Sequence, residues 1–592
     1  MCGIAGLSAR NELKTEKLHN LAQALRHRGP DGQGIYHTNT VGLVHTRLSI
    51  VDLTTGGQPL HGAMDTVLVA NGEIYNNPQL RLEMGNYRFK THSDCEPILA
   101  LWEKYGMDTP EHLRGMFAFA LYEPREEALY LSRDPFGIKP LYYLCTEEGF
   151  SFASEPMALV HAKFCAAHIN PQALTQLLQL RYTTGEDTIF SGIKRVLPGQ
   201  TLKVVKGNIV DRRQWRPLDL STPRFFAQQE KTSLSLKKIL PNLHEHLRES
   251  VKVHLQSDVP YGLFLSGGID SSIVLSHMAQ LCPPENLRTY SIGFPDSQLH
   301  DERHVARKMA ESVKALHTDV DFHESDFWHL LPQVAKALDD PVIDYAALPT
   351  FKLAQVAAQN VKVVLCGEGG DEAFAGYRRH QRAQRPRLLG GRLWRGKGLF
   401  TEVPGVIVDL KGWNNVLNAT QQQVKSKNWS RVQMSQYIDF QHWLPDDLLT
   451  KLDRCLMACG VEGRTPFVDR DVSLYGFQLP DGYKVSLMEG KIILREYLAR
   501  YFPISEPFAK KRGFTVPVGE WITLRSASVA RWLLKQEGVK ELLTPVAINN
   551  LFTSLSQNKN LTLPAWSLLF YAVWHEIHLV GRTPTAEEIL TS

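Results

Sequence analysis

The residue order predicts an α/β chain in two parts: packed sheets with flanking helices first, then a doubly wound parallel sheet with a helical C-terminal part. Three observations carry this expectation. Residues 1–215 hold short β-type runs separated by Gly, Pro, Asn and Asp. Beyond about residue 236 the rhythm changes to strands alternating with helices, the pattern of a parallel sheet covered on its faces. The length of 592 residues exceeds what a single hydrophobic core holds.

In the first part, Val41-Gly42-Leu43-Val44, Val67-Leu68-Val69-Ala70, Met116–Leu121 and Ala128-Leu129-Tyr130-Leu131 have the length and make-up of strands. Leu13–Leu25 and Cys95–Tyr105 are expected to be helical. Residues 216–235, with Pro217, Pro223 and several Ser and Thr, read as a linker. An amphipathic helix follows, with Leu240, Leu243, Leu247, Val251 and Leu255 at helical spacing. Then come strand Tyr261–Leu265, helix Ser271–Leu281, strand Thr289–Phe294, helix Glu302–Val313, and strands Ala315–Val320 and Val361–Leu365. The remainder to Ser592 reads as mostly helical, with Trp566, Phe570, Tyr571 and Trp574 packing a terminal helix.

Composition narrows the function classes. The 66 basic and 62 acidic side chains nearly balance, which gives no argument for a nucleic-acid or membrane partner. The apolar start is broken by Arg10, Glu12 and Lys14, unlike a signal peptide. Leu561–Trp574 contains Pro564 and is too short to span a bilayer. The eight cysteines form no Cys-x-x-Cys pair and no zinc-type array, so a reducing compartment and a cytoplasmic location are expected. Cys455 and Cys459 read as core residues, and His27, His45 and His92 as structural.

Three segments carry chemistry. Once Met1 is removed, Cys2 holds a thiol and a free α-amine on one residue, and an amine of pKa roughly 7.7–8.0 can take the thiol proton without a histidine. Leu265-Ser266-Gly267-Gly268-Ile269-Asp270-Ser271-Ser272 stands where a parallel strand hands over to a helix. Its glycines admit an anion close to the backbone, and the helix start supplies oriented N–H groups. Cys366-Gly367-Glu368-Gly369-Gly370-Asp371-Glu372 follows a later strand. Ligands bind beyond the carboxyl ends of parallel strands, so both loops can face one site. Asp270 and Asp371 are the natural ligands for Mg²⁺ between them and a polyphosphate. Taken singly, each loop also fits a plain turn; together they favour a nucleotide site.

With these residues in view, the chain resembles the glutamine-dependent asparagine synthetases of the bacterial class B type over nearly its full length. The matching pieces are Met1-Cys2-Gly3-Ile4, Arg26–Asp31, Arg47–Asp52, Asn71–Asn76, Ser93–Glu96, Arg133–Gly137, the serine loop, Gly367–Glu372 and Gly490–Glu496. The resemblance implies a four-layer αββα N-terminal-nucleophile glutaminase over 1–215 and an ATP-pyrophosphatase-type synthetase over 236–592. In the first, Cys2 attacks glutamine, Asn71 and Gly72 match the oxyanion-hole positions, and Arg47, Ile50, Val51, Glu73 and Asp94 match positions that hold the substrate. In the second, Leu265, Ser266, Gly267, Gly268, Asp270, Ser271, Ser272, Ile292, Cys366 and Gly367 match the ATP site. Lys491 matches the lysine that steadies the phosphates, and Glu368 the acid that assists adenylate chemistry. ATP is then a co-substrate with Mg²⁺, the product is asparagine, ammonia crosses a dry passage, and a homodimer is the family's usual state.

Two features depart from that pattern. Cys366 stands where serine is usual. Asp339–Pro349, where acceptor-binding residues are expected, does not follow the arrangement that would fix aspartate as acceptor. Amidation of another carboxylate, such as a sugar acid or a specialised metabolite, is the competing reading. A non-catalytic binding or regulatory protein is a remote one.

Overall fold

The computed structural model describes residues 2–219, 235–297, 301, 303–509 and 516–592. Most of the expected linker, 220–234, lies outside the described residues, as do Met1 and Glu302 at the expected helix start. Before the linker, Pro217–Asp219 makes one 3₁₀ turn with Pro217 and Leu218 buried.

Twelve strands build the first part: β1 (Gly3–Ala9), β2 (Gly32–His37), β3 (Val41–Arg47), β4 (Leu60–His61), β5 (Val67–Ile74), β6 (Gly115–Glu123), β7 (Ala128–Arg133), β8 (Tyr142–Thr146), β9 (Gly149–Ala153), β10 (Ile193–Arg195), β11 (Gln200–Val205) and β12 (Asn208–Gln214). They form two antiparallel sheets, in the orders β10-β8-β9-β1-β3-β2 and β12-β11-β7-β6-β5-β4.

Side-chain alternation explains why these strands are apolar on both faces. Ile4 of β1 and Leu43 of β3 point to a core shared with Val67, Val69, Ala118 and Ala120 of the other sheet. Their neighbours Ala5, Leu7 and Val44 pack outward against Leu18 and Leu21 of helix Thr15–Ala24. On the far side, Leu68, Ala70, Phe117 and Phe119 pack against Ile98, Leu99 and Trp102 of helix Pro97–Tyr105. The result is helix, sheet, sheet, helix, the expected four layers.

The second part begins with the amphipathic helix Leu236–His254, whose Leu240, Leu243, Leu247 and Val251 are buried. Five parallel strands follow: β13 (Tyr261–Phe264), β14 (Arg288–Gly293), β15 (Leu316–Asp321), β16 (Val363–Leu365) and β17 (Glu462–Arg464). Their order is β15-β14-β13-β16-β17. The winding reverses between β13 and β16, and a crevice at such a reversal is where doubly wound sheets bind ligands. The strand β17 was not foreseen, because Glu462 and Arg464 break any apolar pattern. They are nevertheless buried, paired to each other at 2.5 Å.

Helices make up most of the C-terminal part. In Thr562–His575 every residue from Pro564 to Trp574 is buried. Trp566 Nε1 donates to the Ile343 carbonyl at 3.1 Å, and Trp574 Nε1 to that of Leu338 at 3.0 Å. The terminal helix thereby pins the segment that departs from the family pattern. Cys455 is fully buried and Cys459 partly so, as expected of core residues. Among the described residues no helix is long and apolar enough to cross a membrane.

The two parts meet through buried ion pairs. Arg28 binds Asp453 at 2.8 Å and Arg114 binds Asp469 at 2.8 Å, while Arg454, whose ion pair with Asp339 at 2.9 Å lies within the second part, donates to the Ser154 carbonyl of the first part at 3.3 Å. Glu155 accepts from Arg28 at 2.8 Å and lies 3.6 Å from Arg454. Removing one member of a buried pair strands its partner's charge, a loss of about 3–5 kcal/mol. Arg454→Ala leaves Asp339, Asp453 and Glu155 short of positive charge at once. The urea midpoint of this variant is expected to fall by that amount of stability; a change under about 1 kcal/mol would show that the network is not structural.

Candidate functional sites

The first site assembles where β1 starts beside the end of β5. The Cys2 main-chain N–H donates to Asn71 Oδ1 at 3.0 Å. Asn71 is fully buried, and its Nδ2 has no hydrogen-bond partner among the described residues. A buried amide donor without an acceptor is costly, and it is placed to meet one that arrives with a ligand. A Cβ on Gly72 would stand 2.3 Å from the Met116 carbonyl, so only glycine lets β5 lie this close to β6 at that position. Arg28 Nε donates to the Cys2 carbonyl at 3.2 Å, which holds the backbone of Cys2 in place.

Burial pushes the Cys2 thiol up, and the acids Glu462 and Glu73 add to this, while the Leu48 N–H opposes it. A thiol so placed needs a base close at hand. Asp94 accepts from the Ile74 N–H at 2.7 Å, and burial raises its carboxyl to about 6. Glu73 is raised well above its usual range by burial and by Asp94, and Arg464 of β17 approaches it at 3.3 Å. Arg47 closes β3 and donates to the carbonyls of Val51 and Asp52. Ile50 is buried and Val51 half-buried in the same loop. That loop is fastened to the second part: Asp258 N–H donates to the Ile50 carbonyl at 3.0 Å, and Asp52 N–H to Asp258 Oδ2 at 2.8 Å.

Sequence reasoning missed Arg464, Glu462 and Cys95 here. Arg464 comes from a strand almost 400 residues away, and only topology brings it in. Cys95 Sγ lies 3.7 Å from the Gly72 carbonyl. Of the histidines read as structural, His45 is buried and held neutral, its pKa lowered to about 3 by burial. His27 instead pairs with Glu155 at 3.0 Å, which raises its pKa.

The second site is the crevice between β13 and β16, a cavity of about 690 Å³. The serine loop runs from β13 into helix Ile269–Leu281, with Gly267 at φ +75° and Gly268 at the helix N-cap. Leu265, Ser266, Gly267, Gly268, Asp270 and Ser271 line it, as does Ile292 from β14. Ser272 does not. Its hydroxyl donates to the Gly268 carbonyl at 2.7 Å, inside the helix's own turn. Opposite stand Cys366, Gly367, Glu368 and Asp371. The loops are in contact, since a Cβ on Gly370 would lie 2.3 Å from Asp270 Oδ1. The Cys366 thiol turns back toward the Val364 carbonyl at 3.9 Å, away from the role a serine hydroxyl would fill.

Lys491 Nζ lies between the two loops, 2.5 Å from Asp270 Oδ2 and 2.8 Å from Asp371 Oδ1. Its backbone is left-handed, φ +56°, which turns the side chain into the crevice instead of along helix Ile492–Tyr501. Burial raises the Glu368 carboxyl, with Lys451 pulling against it. Lys451 itself binds Asp344 at 2.7 Å and holds that carboxyl below its usual range despite burial. Arg181, from the first part, also lines this cavity, and its carbonyl accepts from Ile343 N–H at 2.7 Å. No local motif marks Arg181 or Lys451.

Residues 242–576 match the asparagine synthase family. The chain belongs to that family. Residues 1–215 match the glutamine amidotransferase domain that accompanies it here. An asparagine synthetase (glutamine-hydrolysing) of Bacillus subtilis is 30% identical over 98% of each chain. Asparagine synthetase B of Escherichia coli is 30% identical over 91% of this chain and 86% of its own. Among the family's relatives is also the amidase chyE of Penicillium rubens, 33% identical over 64% of this chain and 59% of its own.

The raised Asp94 carboxyl has a consequence for stability. Its folded pKa of about 6 exceeds the unfolded value, so its contribution is fullest below the unfolded pKa, roughly 3.9, and is lost as pH rises through 6. Asp94→Asn removes that loss. The melting temperature of the variant relative to wild type is expected to climb between pH 4.5 and 7, toward about 2–3 kcal/mol of relief. A difference that does not vary with pH would refute the assignment.

Proposed function

We propose that this chain makes an amide from a carboxylate, using glutamine as nitrogen source and ATP to activate the acceptor, with aspartate as the acceptor its relatives' names suggest. The observation that carries the reading is the unpartnered Asn71 amide beside Cys2. At that site the Cys2 thiolate attacks the glutamine amide carbon, the α-amine taking the thiol proton. The oxyanion meets Asn71 Nδ2 and the Gly72 backbone, ammonia leaves, and water releases glutamate from the thioester. Arg47 suits the substrate carboxylate, and Glu73 and Asp94 its α-ammonium.

At the crevice, an acceptor carboxylate oxygen attacks the α-phosphorus of ATP, and the bond to pyrophosphate breaks. Ammonia then adds to the acyl-adenylate carbonyl, and AMP leaves with the electron pair. The Ser266–Ser271 loop and helix start cradle phosphate, Leu265 and Ile292 flank the base, and Lys491 meets charge developing on pyrophosphate. Glu368, raised by burial, is suited to passing a proton in adenylate formation and breakdown. Asp270 and Asp371 fit Mg²⁺, because two hard oxygen donors converge on one cationic point, the position of Lys491 Nζ. Mg²⁺ takes one or two carboxylates plus phosphate oxygens, and bound there it would neutralise phosphate charge. Leu48, Ile50 and Met116 share a buried cluster with Leu263 and Val363, the dry material an ammonia passage requires.

A second reading, another carboxylate acceptor, is favoured by the Asp344–Lys451 pair and Arg181 standing where the family pattern is lost. Two measurements separate these claims. Cys2→Ala is expected to abolish glutamine-dependent amide formation by more than a hundredfold while ammonium-dependent formation persists; loss of both in a folded variant would refute the division of labour. Wild-type enzyme with glutamine, ATP and Mg²⁺ is expected to release AMP only when a carboxylate acceptor is added, and release on addition of aspartate assigns aspartate to that role. If aspartate does not stimulate AMP release, the acceptor is another carboxylate.

A further inference from the structure

A second cavity, of about 640 Å³, adjoins the crevice; Arg181 and Trp443 line both. Its charge is one-sided. Arg181, Arg379, Arg382, Arg385, Arg392 and Arg395 line it, and no aspartate or glutamate is among its described lining residues. The whole chain carries a net charge of only +4, so this concentration is local.

Arg382, Arg385, Arg392 and Arg395 are exposed at its mouth, while its inner wall is built from buried and half-buried groups. Arg379 lies over the rings of Tyr377, Trp394 and Trp443, with its carbon centre 3.9, 4.8 and 4.9 Å from their centroids. Its Nε is spent on Asp439 at 2.9 Å, yet its buried Nη2 has no partner among the described residues. Trp394 is 6% exposed and lines the pocket, and its indole N–H is likewise without a partner there. Arg395 Nη2 donates to the carbonyls of Gln179 and Leu180 at 3.0 and 2.8 Å, which ties the pocket wall to the turn carrying Arg181. Two buried donors without acceptors, inside a ring of guanidinium groups, call for an acceptor-rich anion. Planar guanidinium forks match phosphate oxygens in particular.

We propose that this pocket binds a phosphoryl group carried by the acceptor, so that the molecule amidated is a phosphorylated carboxylic acid reaching from the arginines past Arg181 to Glu368. This rests on the amidation reading above and names its substrate class. Aspartate, with two carboxylates and an ammonium, carries no phosphoryl group and leaves the arginine pocket unused. A phosphorylated sugar acid carries its carboxylate and its phosphate on one rigid frame.

The test uses the full chain with its nucleotide site held by Mg²⁺ and a non-hydrolysable ATP analogue. Glucuronic acid 1-phosphate is titrated against tryptophan fluorescence, since Trp394 and Trp443 line the pocket. Saturable binding is expected, at least tenfold tighter than that of glucuronate, and weakened at least tenfold in Arg382→Ala/Arg385→Ala and in Arg392→Glu. These side chains are exposed, so the variants are expected to melt like wild type. Absence of saturable binding, or binding indifferent to the variants, overturns the proposal. Co-sedimentation with phosphatidylglycerol vesicles that the same variants abolish, without binding of the soluble compound, would assign the pocket to a membrane surface and also overturn it. Aspartate-stimulated AMP release with one KM in wild type and variants would overturn the proposal while leaving amidation intact. Variant-sensitive phosphate binding without AMP release from any carboxylate would leave the anion site and remove the amidation reading.

Discussion

The whole arrangement depends on guanidinium groups buried between the two parts of the chain. Arg28, Arg454 and Arg464 are each at most 1% exposed, and each answers carboxylates from more than one element. Burying such charges is costly unless geometry and hydrogen bonding are both good. Here those conditions help fix the mutual position of two parts that also share apolar clusters, in which Leu48 and Met116 pack with Leu263 and Val363. Apolar contact alone would let the parts slide. An ion pair such as Arg28–Asp453 at 2.8 Å does not. Under the proposed reading, in which ammonia passes between two sites, that registration matters more than extra stability.

The same residues reach into the chemistry. Arg28 spans the gap in a few bonds: its Nη1 holds Asp453 at 2.8 Å while its Nε holds the Cys2 carbonyl at 3.2 Å. Arg464 pairs with Glu462 on its own strand, accepts no competitor from solvent, and stands 3.3 Å from Glu73. Glu73, in the first part, thus has its nearest positive partner in the second. Glu73 of the first site and the placement of β17 are therefore linked through one guanidinium. Since β17 pairs with β16, whose carboxyl end carries the Cys366–Glu368 loop, the link ends at the nucleotide crevice.

Much of this was legible in the sequence, for identifiable reasons. The packed sheets could be read because β3, β5, β6 and β7 are buried along almost their whole length and so appear as apolar runs, while the four-layer order followed from the family resemblance. The switch point could be read because two glycine-bearing loops follow two strands, and glycine is what close approach requires, as Gly367 and Gly370 show against Asp270. What escaped was set by topology. The three-residue strand β17 has charged ends that look like a turn until Glu462 and Arg464 are seen to neutralise each other. Arg181 lies in the first part, in no motif, and enters the crevice only because its left-handed backbone, φ +80°, ends helix Pro171–Leu180 there. Ser272 is the converse case. It sits in the motif, yet the helical turn that begins at Gly268 claims its hydroxyl.

Lys491 shows how the two expectations about its neighbours fit together. Asp270 and Asp371 were read as metal ligands, and Lys491 as a phosphate ligand, yet in the structure they satisfy one another. Both statements hold if the ammonium stands where a divalent cation and a polyphosphate will share the space. Without nucleotide, two carboxylates facing each other across a crevice would repel, and Lys491 cancels that repulsion. Under the proposed reading, a metal–nucleotide complex would bring positive charge for the carboxylates and negative charge for the ammonium. Each group then exchanges one ion partner for another, and little charge is left exposed in the low-dielectric crevice at any stage. A Cβ on Gly376 would fall 1.8 Å from Asp371 Oδ1 and 2.5 Å from Lys491 Cε, so this glycine gives both side chains the room to make that exchange.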